Sequence, residues 1–213
     1  MAYTIFDTYN FMVYIVRKQR GGMISMSEAQ TALGRGQLDA VDAWFEIYGT
    51  TEKIHDAIRQ LRVFQPFTSD SAGEVAFQAD YLHLLGNPFT VYGSTITKMR
   101  FISEDEFANA MTSQLREVSN DYPIAVNSDT GFTIYPQQVQ VGSYWYIRTP
   151  NEPIIGYTQT GRTITYDPGS SVQLEFTDNY INNIIARALV YVGVNLDETG
   201  VAAFAQQYKT DTE

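Results

Sequence analysis

Residues 174–198 restrict the possible folds of this chain more than any other segment. Their apolar side chains recur at the spacing of one helix face, and Gly193 follows where a helix end favours a left-handed residue. Residues 174–176 read as a short strand that runs into this helix. An amphipathic helix must bury its apolar face, so we expect it to pack against the first helix of the chain. The apolar positions are Ile181, Ile184, Ile185, Ala188, Leu189 and Val192.

The first third of the chain also carries helical signals. Apolar residues at helical spacing run from Ile5 to Val16, and Gly21 ends that helix. Ser25 and Glu28 form a capping-box signature, in which each side chain pairs with a backbone N–H at the start of a second helix. Two glycines favour a break or kink within this second helix. They are Gly34 and Gly36.

Strand-like segments separate the helices. Residues 86–88 (Gly-Asn-Pro) predict a hairpin turn between strands at 74–85 and 89–101. Ser103 and Glu106 form another capping-box signature, and the acidic residues there suit the positive end of a helix dipole. A further helix is therefore expected between two β-rich segments.

The order of these elements predicts an α+β fold, because helices do not alternate regularly with strands. We expect a helical bundle formed by the N- and C-terminal helices, with a β-rich lobe or insertion. The helical part comprises residues 1–62, 103–120 and 177–209. Residues 63–102 form the predicted β-hairpin insertion, residues 121–176 the β-rich part, and residues 210–213 a polar tail.

Charge and composition exclude several classes of protein. The 213 residues carry 14 basic and 24 acidic side chains, a net charge of −10, whereas a protein that grips DNA needs the opposite sign. There is no cysteine, which excludes disulfides and thiolate metal sites. No apolar run approaches the roughly 20 residues of a membrane span, and no signal peptide is evident. We therefore expect folding in the cytoplasm and no membrane partner.

No catalytic motif is evident. The two histidines, His55 and His83, have no partner at metal-ligand spacing, and neither a nucleophile elbow nor a phosphate loop occurs. Solvation of a helix face explains the acidic pair Asp39 and Asp42. We predict that the protein is not an enzyme and that it has no catalytic, metal-binding or cofactor-binding residues. A hydrolase or carbohydrate-binding module whose site is not visible in sequence is the alternative, because aromatic-rich strands stack on sugars.

Four stretches together resemble a known family. They are residues 81–86 (YLHLLG), 102–115 leading to 122–125, 134–136 leading to 144–150 and Pro153, and the terminal segment 174–198. In this order they are similar to structural proteins of tailed phages, notably the crAss-like phages and relatives that infect Bacteroidetes. Members of that family look like ring proteins of the head–tail connector. The resemblance spans roughly residues 75–200, and the helical N-terminus matches in general character.

The resemblance implies a homo-oligomeric ring, expected to have twelve copies, stacked below the portal in the neck of a short-tailed virion. Its partners would be other copies of itself, the portal protein and neighbouring neck or tail rings. Double-stranded DNA would pass through the channel without sequence-specific binding, and a lining of carboxylates would repel its phosphates. Assembly would take place in the host cytoplasm. Another tail or virion component is the alternative within the same particle.

One strand supplies the expected subunit interface. Strand alternation places Tyr144, Tyr146 and Arg148 on one face, and Trp145 and Ile147 on the other. We expect the Trp145 face to be core and the Tyr/Arg face to be interface, because Tyr and Arg anchor such contacts. The alternative is that both faces are ordinary interior and surface. The full set of candidate interface residues is Tyr144, Tyr146, Arg148, Pro150 and Pro153.

Overall fold

The computed structural model describes residues 4–48, 52–92, 95–113, 117–138, 140–161, 163–194, 196 and 199–205, without the side chains of residues 52–54. Helices and sheets are both present, which agrees with the expected α+β class. By its contacts the chain divides into two compact units. The first is Met1–Gln60 with Pro150–Glu213, and the second is Leu61–Thr149.

The helices and strands alternate irregularly along the chain. The helices are α1 (Ile5–Arg20), α2 (Met26–Glu46), α3 (Glu52–Ile58), α4 (Glu104–Met111) and α5 (Asp178–Tyr191), with 3-10 turns at Arg59–Leu61 and Pro168–Ser170. The strands are β1 (Arg62–Thr68), β2 (Glu74–Ala76), β3 (Tyr81–Tyr92), β4 (Thr95–Lys98), β5 (Arg100–Ile102), β6 (Ile124–Ser128), β7 (Gly131–Tyr135), β8 (Val141–Arg148), β9 (Tyr157–Thr160) and β10 (Thr163–Tyr166). Residues 199–205 are also helical. Among the described residues, no helix is long and apolar enough to cross a membrane.

Helix α2 begins at the predicted capping box, but it does not break at the predicted position. The Ser25 side chain accepts from the Glu28 backbone N–H, and the Glu28 carboxylate accepts from the Ser25 N–H at 2.9 Å. The helix runs unbroken through both glycines, so the predicted break is wrong. A Cβ atom on Gly36 would lie 2.7 Å from the backbone nitrogen of Ala188. The missing side chain therefore serves close packing of α2 on α5.

Helix α5 buries the predicted face, with Val192 partly exposed just beyond its end. Gly193 follows with φ at 78°, in the left-handed region that the sequence predicts. Residues 174–176 are not a strand, and that prediction is wrong. The Glu175 carboxylate accepts from the backbone and side-chain nitrogens of Asn151, at 2.8 and 3.0 Å, so its polar contacts go to a loop. The buried residues of α5 are Ile181, Ile184, Ile185, Ala186, Ala188 and Leu189.

The second unit contains two four-stranded sheets. One has the order β1-β8-β3-β4 and is antiparallel throughout; the other has the order β2-β7-β6-β5, in which β5 and β6 are parallel. Their facing sides share one core, where the ring of Phe132 lies 5.6 Å from Phe67 and 5.7 Å from Tyr144. The buried members of this core are Phe67, Val75, Met99, Ala125, Phe132, Ile134, Tyr144 and Tyr146.

The predicted hairpin turn at residues 86–88 and the predicted capping box at Ser103 do not form in the structure. Residues 86–88 lie inside β3, where the register with β8 shifts between Leu85 and Phe89, so they form an irregularity and not a hairpin turn. The hairpin joins β3 to β4 farther along, through residues 93–94, which lie outside the described residues. Ser103 occupies the N-cap of α4 without a side-chain hydrogen bond, so the second capping box is wrong.

The division by contacts also differs from the predicted grouping of segments. Helix α4 contacts β6 and belongs to the second unit, although the sequence grouped it with the terminal helices. Residues 150–176 belong to the first unit, where β9 and β10 form a separate two-stranded ribbon. The predicted polar tail and the last residues of the helical part lie outside the described residues.

Candidate functional site

In β8 the predicted burial is reversed for Tyr144, Trp145 and Tyr146, whereas Ile147 is buried as predicted. The exposed fraction is 1% for Tyr144 and 2% for Tyr146, whereas Trp145 is 40% exposed. The assignment of Trp145 to the core and of the tyrosines to an exposed interface is therefore wrong. The physical reason is the second sheet, whose Phe132 packs edge-on against Tyr144 and completes a core on the tyrosine side.

Tyr146 is buried with its hydroxyl satisfied. It donates a hydrogen bond of 2.8 Å to the carboxylate of Asp80. Burial, followed by that hydrogen bond and by the negative charge of Asp80, raises the pKa of Tyr146 to about 12. Burial also raises the pKa of Tyr144. Both tyrosines remain neutral at physiological pH and act as core groups with polar tips.

The other three candidate residues do not join the tyrosines in one exposed patch. Arg148 is half-buried at the end of β8, and its Nη1 donates to the carbonyl of Thr149 at 3.2 Å. Pro150 and Pro153 are buried and belong to the first unit, whereas β8 belongs to the second. The sequence-predicted set is therefore divided between two units, and four of its five members are buried.

Part of the side of the first sheet that faces away from the shared core is apolar and exposed, while Leu85 and Ile147 on the same side are buried. Residues directly opposite each other in an antiparallel pair lie on the same face, and Phe64 is opposite Trp145. Val91 is opposite both Val141 and Ile96. We call this surface the outer sheet face. Its exposed members are Phe64 (46%), Val91 (39%), Ile96 (69%), Val141 (53%) and Trp145 (40%), with Phe89 half-buried among them.

Aromatic rings form the centre of the outer sheet face. The ring centroids of Phe64 and Trp145 are 4.9 Å apart, and those of Phe64 and Phe89 are 6.2 Å apart. The guanidinium of Arg62 lies 5.3 Å from the ring centroid of Trp145, a distance at which a cation is attracted to an aromatic face. These contacts order the side chains while leaving them open to solvent.

The charge of this sheet contrasts with that of the chain. Its four described strands contain no aspartate or glutamate, although the chain as a whole has a net charge of −10. Arg62 and Lys98 both lie on the outer sheet face, since Arg62 is opposite Ile147 and Lys98 is opposite Phe89. The surface is therefore apolar with a cationic margin, and it suits an apolar partner with acidic residues at its edge.

The residues considered for chemistry have structural partners. His55 lies with Nε2 2.8 Å from the carbonyl of Tyr48 and stacks on that ring at 4.1 Å. Asp39 accepts a hydrogen bond of 2.6 Å from the hydroxyl of Tyr191. Within the part of the chain that the structure describes, no group of three or more potential ligands could hold a metal ion. No protein-family model matches the chain, and no curated protein matches it either.

Proposed function

We propose that this protein is a non-enzymatic structural subunit of a homo-oligomeric assembly, a ring of the head–tail connector in a short-tailed phage virion. The observation that carries the proposal is the outer sheet face. Contiguous exposed apolar surface of this kind marks interaction sites, since burial stabilises by roughly 25 cal/mol per Å² of apolar surface removed from water.

A second copy of the same chain is a suitable partner for this face. The face carries Arg62 and Lys98 without a neighbouring acid on its strands, while the chain supplies 24 acidic side chains overall. An apolar, cationic patch that meets a different, acidic patch makes a heterologous contact, and repetition of a heterologous contact closes a ring when the rotation permits. This geometry is the one that a connector ring requires.

The identification with a phage neck rests on the four segments that resemble crAss-like ring proteins. It brings with it the expected twelve copies, the portal and adjacent rings as partners, and double-stranded DNA passing through the channel. The helical bundle of N- and C-terminal helices also belongs to this proposal; its support is the backbone contact between α2 and α5. Another tail or virion subunit would use the same outer sheet face.

The experiment measures particle mass by mass photometry and symmetry by negative-stain microscopy, with the protein alone and mixed with its portal. We expect closed rings, formed alone or on the portal, and we expect the double variant Phe64→Ser/Trp145→Ser to remain monomeric. Val190→Ser, which removes a 56% exposed apolar side chain from α5, is the matched control and should assemble normally. A wild-type chain that stays monomeric under both conditions would contradict the proposal.

The exposed aromatic pair of Phe64 and Trp145 also supports a second candidate function, carbohydrate binding. Exposed rings such as Phe64 and Trp145 stack on sugars, although Arg62 already lies over the ring of Trp145. The chain has two tryptophans, and Trp44 is only 7% exposed. A Trp44→Phe variant therefore reports on Trp145 alone by fluorescence. Saturable quenching by an oligosaccharide series would favour this alternative, whereas a flat titration would exclude it for the sugars tested.

A further inference from the structure

A large cleft opens in the first unit between the end of α1, the first half of α2 and the end of α5. Its volume is about 860 Å³. Its floor is apolar, because Val16, Ile24 and Ala32 line it and are buried. Met23, at its rim, is 74% exposed. The cleft therefore combines a small apolar floor and the exposed Met23 side chain with a lining that is otherwise largely polar.

Two arginines make the walls of this cleft cationic. Arg20 lines it and donates from Nη1 to the carbonyl of Val192 at 2.8 Å, which holds the guanidinium in place. Arg35 also lines it, with its guanidinium 5.6 Å from the ring centroid of Tyr191. Among the described lining residues Glu28 is the one acid, and its carboxylate already accepts from Ser25. The walls thus favour an anionic ligand.

Asp39 reduces this positive potential without cancelling it. It lies one turn beyond Arg35 on α2, and it accepts the 2.6 Å hydrogen bond from the hydroxyl of Tyr191. Its carboxylate is therefore directed to the tyrosine at the margin of the cleft. It is not among the residues that line the cleft, whereas both arginines are.

Helix α4 has the complementary composition and little anchoring of its own. None of its eight residues, all of which the structure describes, is buried. It is attached through the ring of Phe107, 4.8 Å from that of Tyr135, and through a 3.3 Å ion pair between Glu106 and Arg100. A helix that buries no side chain in its own chain gains most of its packing only from a partner.

The side of α4 next to Phe107 is acidic and narrow. At 100° per residue, one side about 120° wide carries Glu104, Asp105, Ala108 and Met111, and all four are exposed. The carboxylates of Glu104 and Asp105 have the charge that the two arginines of the cleft would attract. Ala108 is small enough to let the helix backbone approach an apolar floor.

We propose that helix α4 of one copy of this chain binds in the arginine-lined cleft of a neighbouring copy. The proposal rests on the proposed function only in requiring a homo-oligomer. Carboxylates of Glu104 and Asp105 would pair with Arg20 and Arg35, while Ala108 and Met111 would cover the apolar floor. Because the two surfaces are different parts of the chain, the contact is heterologous and propagates around a ring.

The apolar floor favours a protein segment over nucleic acid as the occupant. A DNA backbone would satisfy the two arginines but would leave the apolar floor beneath Met23 uncovered. An amphipathic acidic helix satisfies both the charged walls and the floor, so α4 of a second copy is the better fit.

Charge reversal tests the pairing directly. Arg35→Glu and Asp105→Arg should each weaken self-association by about tenfold at low salt, and mixing or combining the two variants should restore it. Arg59→Glu and Asp129→Lys are matched controls, since both residues are exposed and neither lies in the cleft or on α4. Equal weakening by the controls, or no rescue in the combination, would overturn the pairing.

The absence of cysteine from all 213 residues makes cross-linking a clean second test. Thr31→Cys, in the cleft, and Ala108→Cys, on α4, are prepared with different affinity tags, mixed at high concentration and oxidised. We expect a mixed disulfide dimer for this pair and none for Thr158→Cys with Ala108→Cys. Absence of the mixed dimer at every concentration would overturn the inference.

The outcomes separate this inference from the proposed function. Assembly that is abolished by Phe64→Ser/Trp145→Ser but unaffected by the charge reversals would leave the ring proposal standing and overturn the α4 contact. If Arg35→Glu abolished binding to a double-stranded DNA probe and left self-association unchanged, the cleft would be a DNA contact. A wild-type chain that does not assemble, together with cysteine variants that form no mixed dimer, would refute both.

Discussion

Gly36 of α2 and Ala188 of α5 meet backbone to backbone, since a Cβ on Gly36 would lie 2.7 Å from the Ala188 nitrogen and 2.9 Å from the Ile184 oxygen. Neither atom is the end of a flexible side chain that could move aside. The contact therefore sets how closely the buried faces of α2 and α5 approach each other.

We expect Gly36→Ala to destabilise the protein by about 1–3 kcal/mol, the cost of overpacking a tight contact. Gly34→Ala is the matched control, because its Cβ would meet Pro153 Cδ at an ordinary 3.6 Å. In a helix interior alanine is favoured over glycine by roughly 1 kcal/mol, so Gly34→Ala should be neutral or stabilising. Urea denaturation of the two variants measures the difference, and equal stabilities would contradict the close contact.

The pKa of Tyr146 makes stability depend on alkaline pH. Its pKa is about 12 in the folded chain against an ordinary value of 10.0, so the folded state keeps its proton longer than the unfolded state. The resulting stabilisation is complete below pH 10 and is lost as the pH rises through about 12. The full loss corresponds to about 2.7 kcal/mol, since each pKa unit is worth about 1.36 kcal/mol.

Comparison with Tyr146→Phe isolates this contribution, because the remaining tyrosines titrate in both proteins. The stability advantage of wild type over Tyr146→Phe should be constant from pH 7 to 9 and should shrink between pH 10 and 12. Denaturation at fixed pH values measures it. A constant difference across the whole range would mean that Asp80 and burial do not retain the proton on Tyr146.

The two sides of the first sheet should respond differently to mutation. Phe132 is 1% exposed in the shared core, so Phe132→Ala should cost about 3–5 kcal/mol of folding free energy. Ile96 is 69% exposed on the outer sheet face, and Ile96→Thr should change folding stability by less than about 0.5 kcal/mol. Thermal melts of the monomeric protein test this, and a large loss for Ile96→Thr would place that face inside a core.

Local sequence signals predicted the helices well because their causes are local. The Ser25–Glu28 capping box and the left-handed Gly193 depend on residues within one turn, and both occur where the sequence predicts them. The repeat of apolar residues in α5 likewise identifies its buried face, since an amphipathic helix has one apolar side and its orientation follows from that side alone.

The orientation of β8 could not be predicted in the same way. Alternation separates Tyr144 and Tyr146 from Trp145 and Ile147, but both sets are apolar or aromatic, and period two does not tell which face is inside. The choice is made by Phe132 of the other sheet, which packs against Tyr144 across the shared core, a contact that the pattern within β8 does not contain. The outer sheet face was missed for the same reason.

Glycine and proline signals were misread where a long-range contact overrides a local preference. Residues 86–88 have turn chemistry, yet β3 pairs with β8 on both sides of them, and the extended pairing turns a potential hairpin into an irregularity. Gly36 has low helix propensity, yet α5 requires a residue without a side chain there. In both cases the partner strand or helix lies at least 50 residues away, beyond the reach of a local pattern.

The ribbon of β9 and β10 should be less protected from amide hydrogen exchange than helix α5 of the same unit. An isolated two-stranded ribbon is marginal in water, and this one is anchored by Tyr166, whose ring stacks on Phe6 at 4.8 Å and whose hydroxyl accepts from Gln173 at 3.1 Å. Tyr166→Ala removes both contacts, so amide hydrogen exchange across the ribbon should accelerate by about tenfold. This acceleration is equivalent to a loss of about 1.4 kcal/mol in the free energy of local opening, and the amides of α5 should stay protected. Tyr157→Ala, on the same ribbon face but 47% exposed, is the control and should have little effect. Equal acceleration by the two variants, or loss of protection in α5, would mean that the stack on Phe6 does not anchor the ribbon.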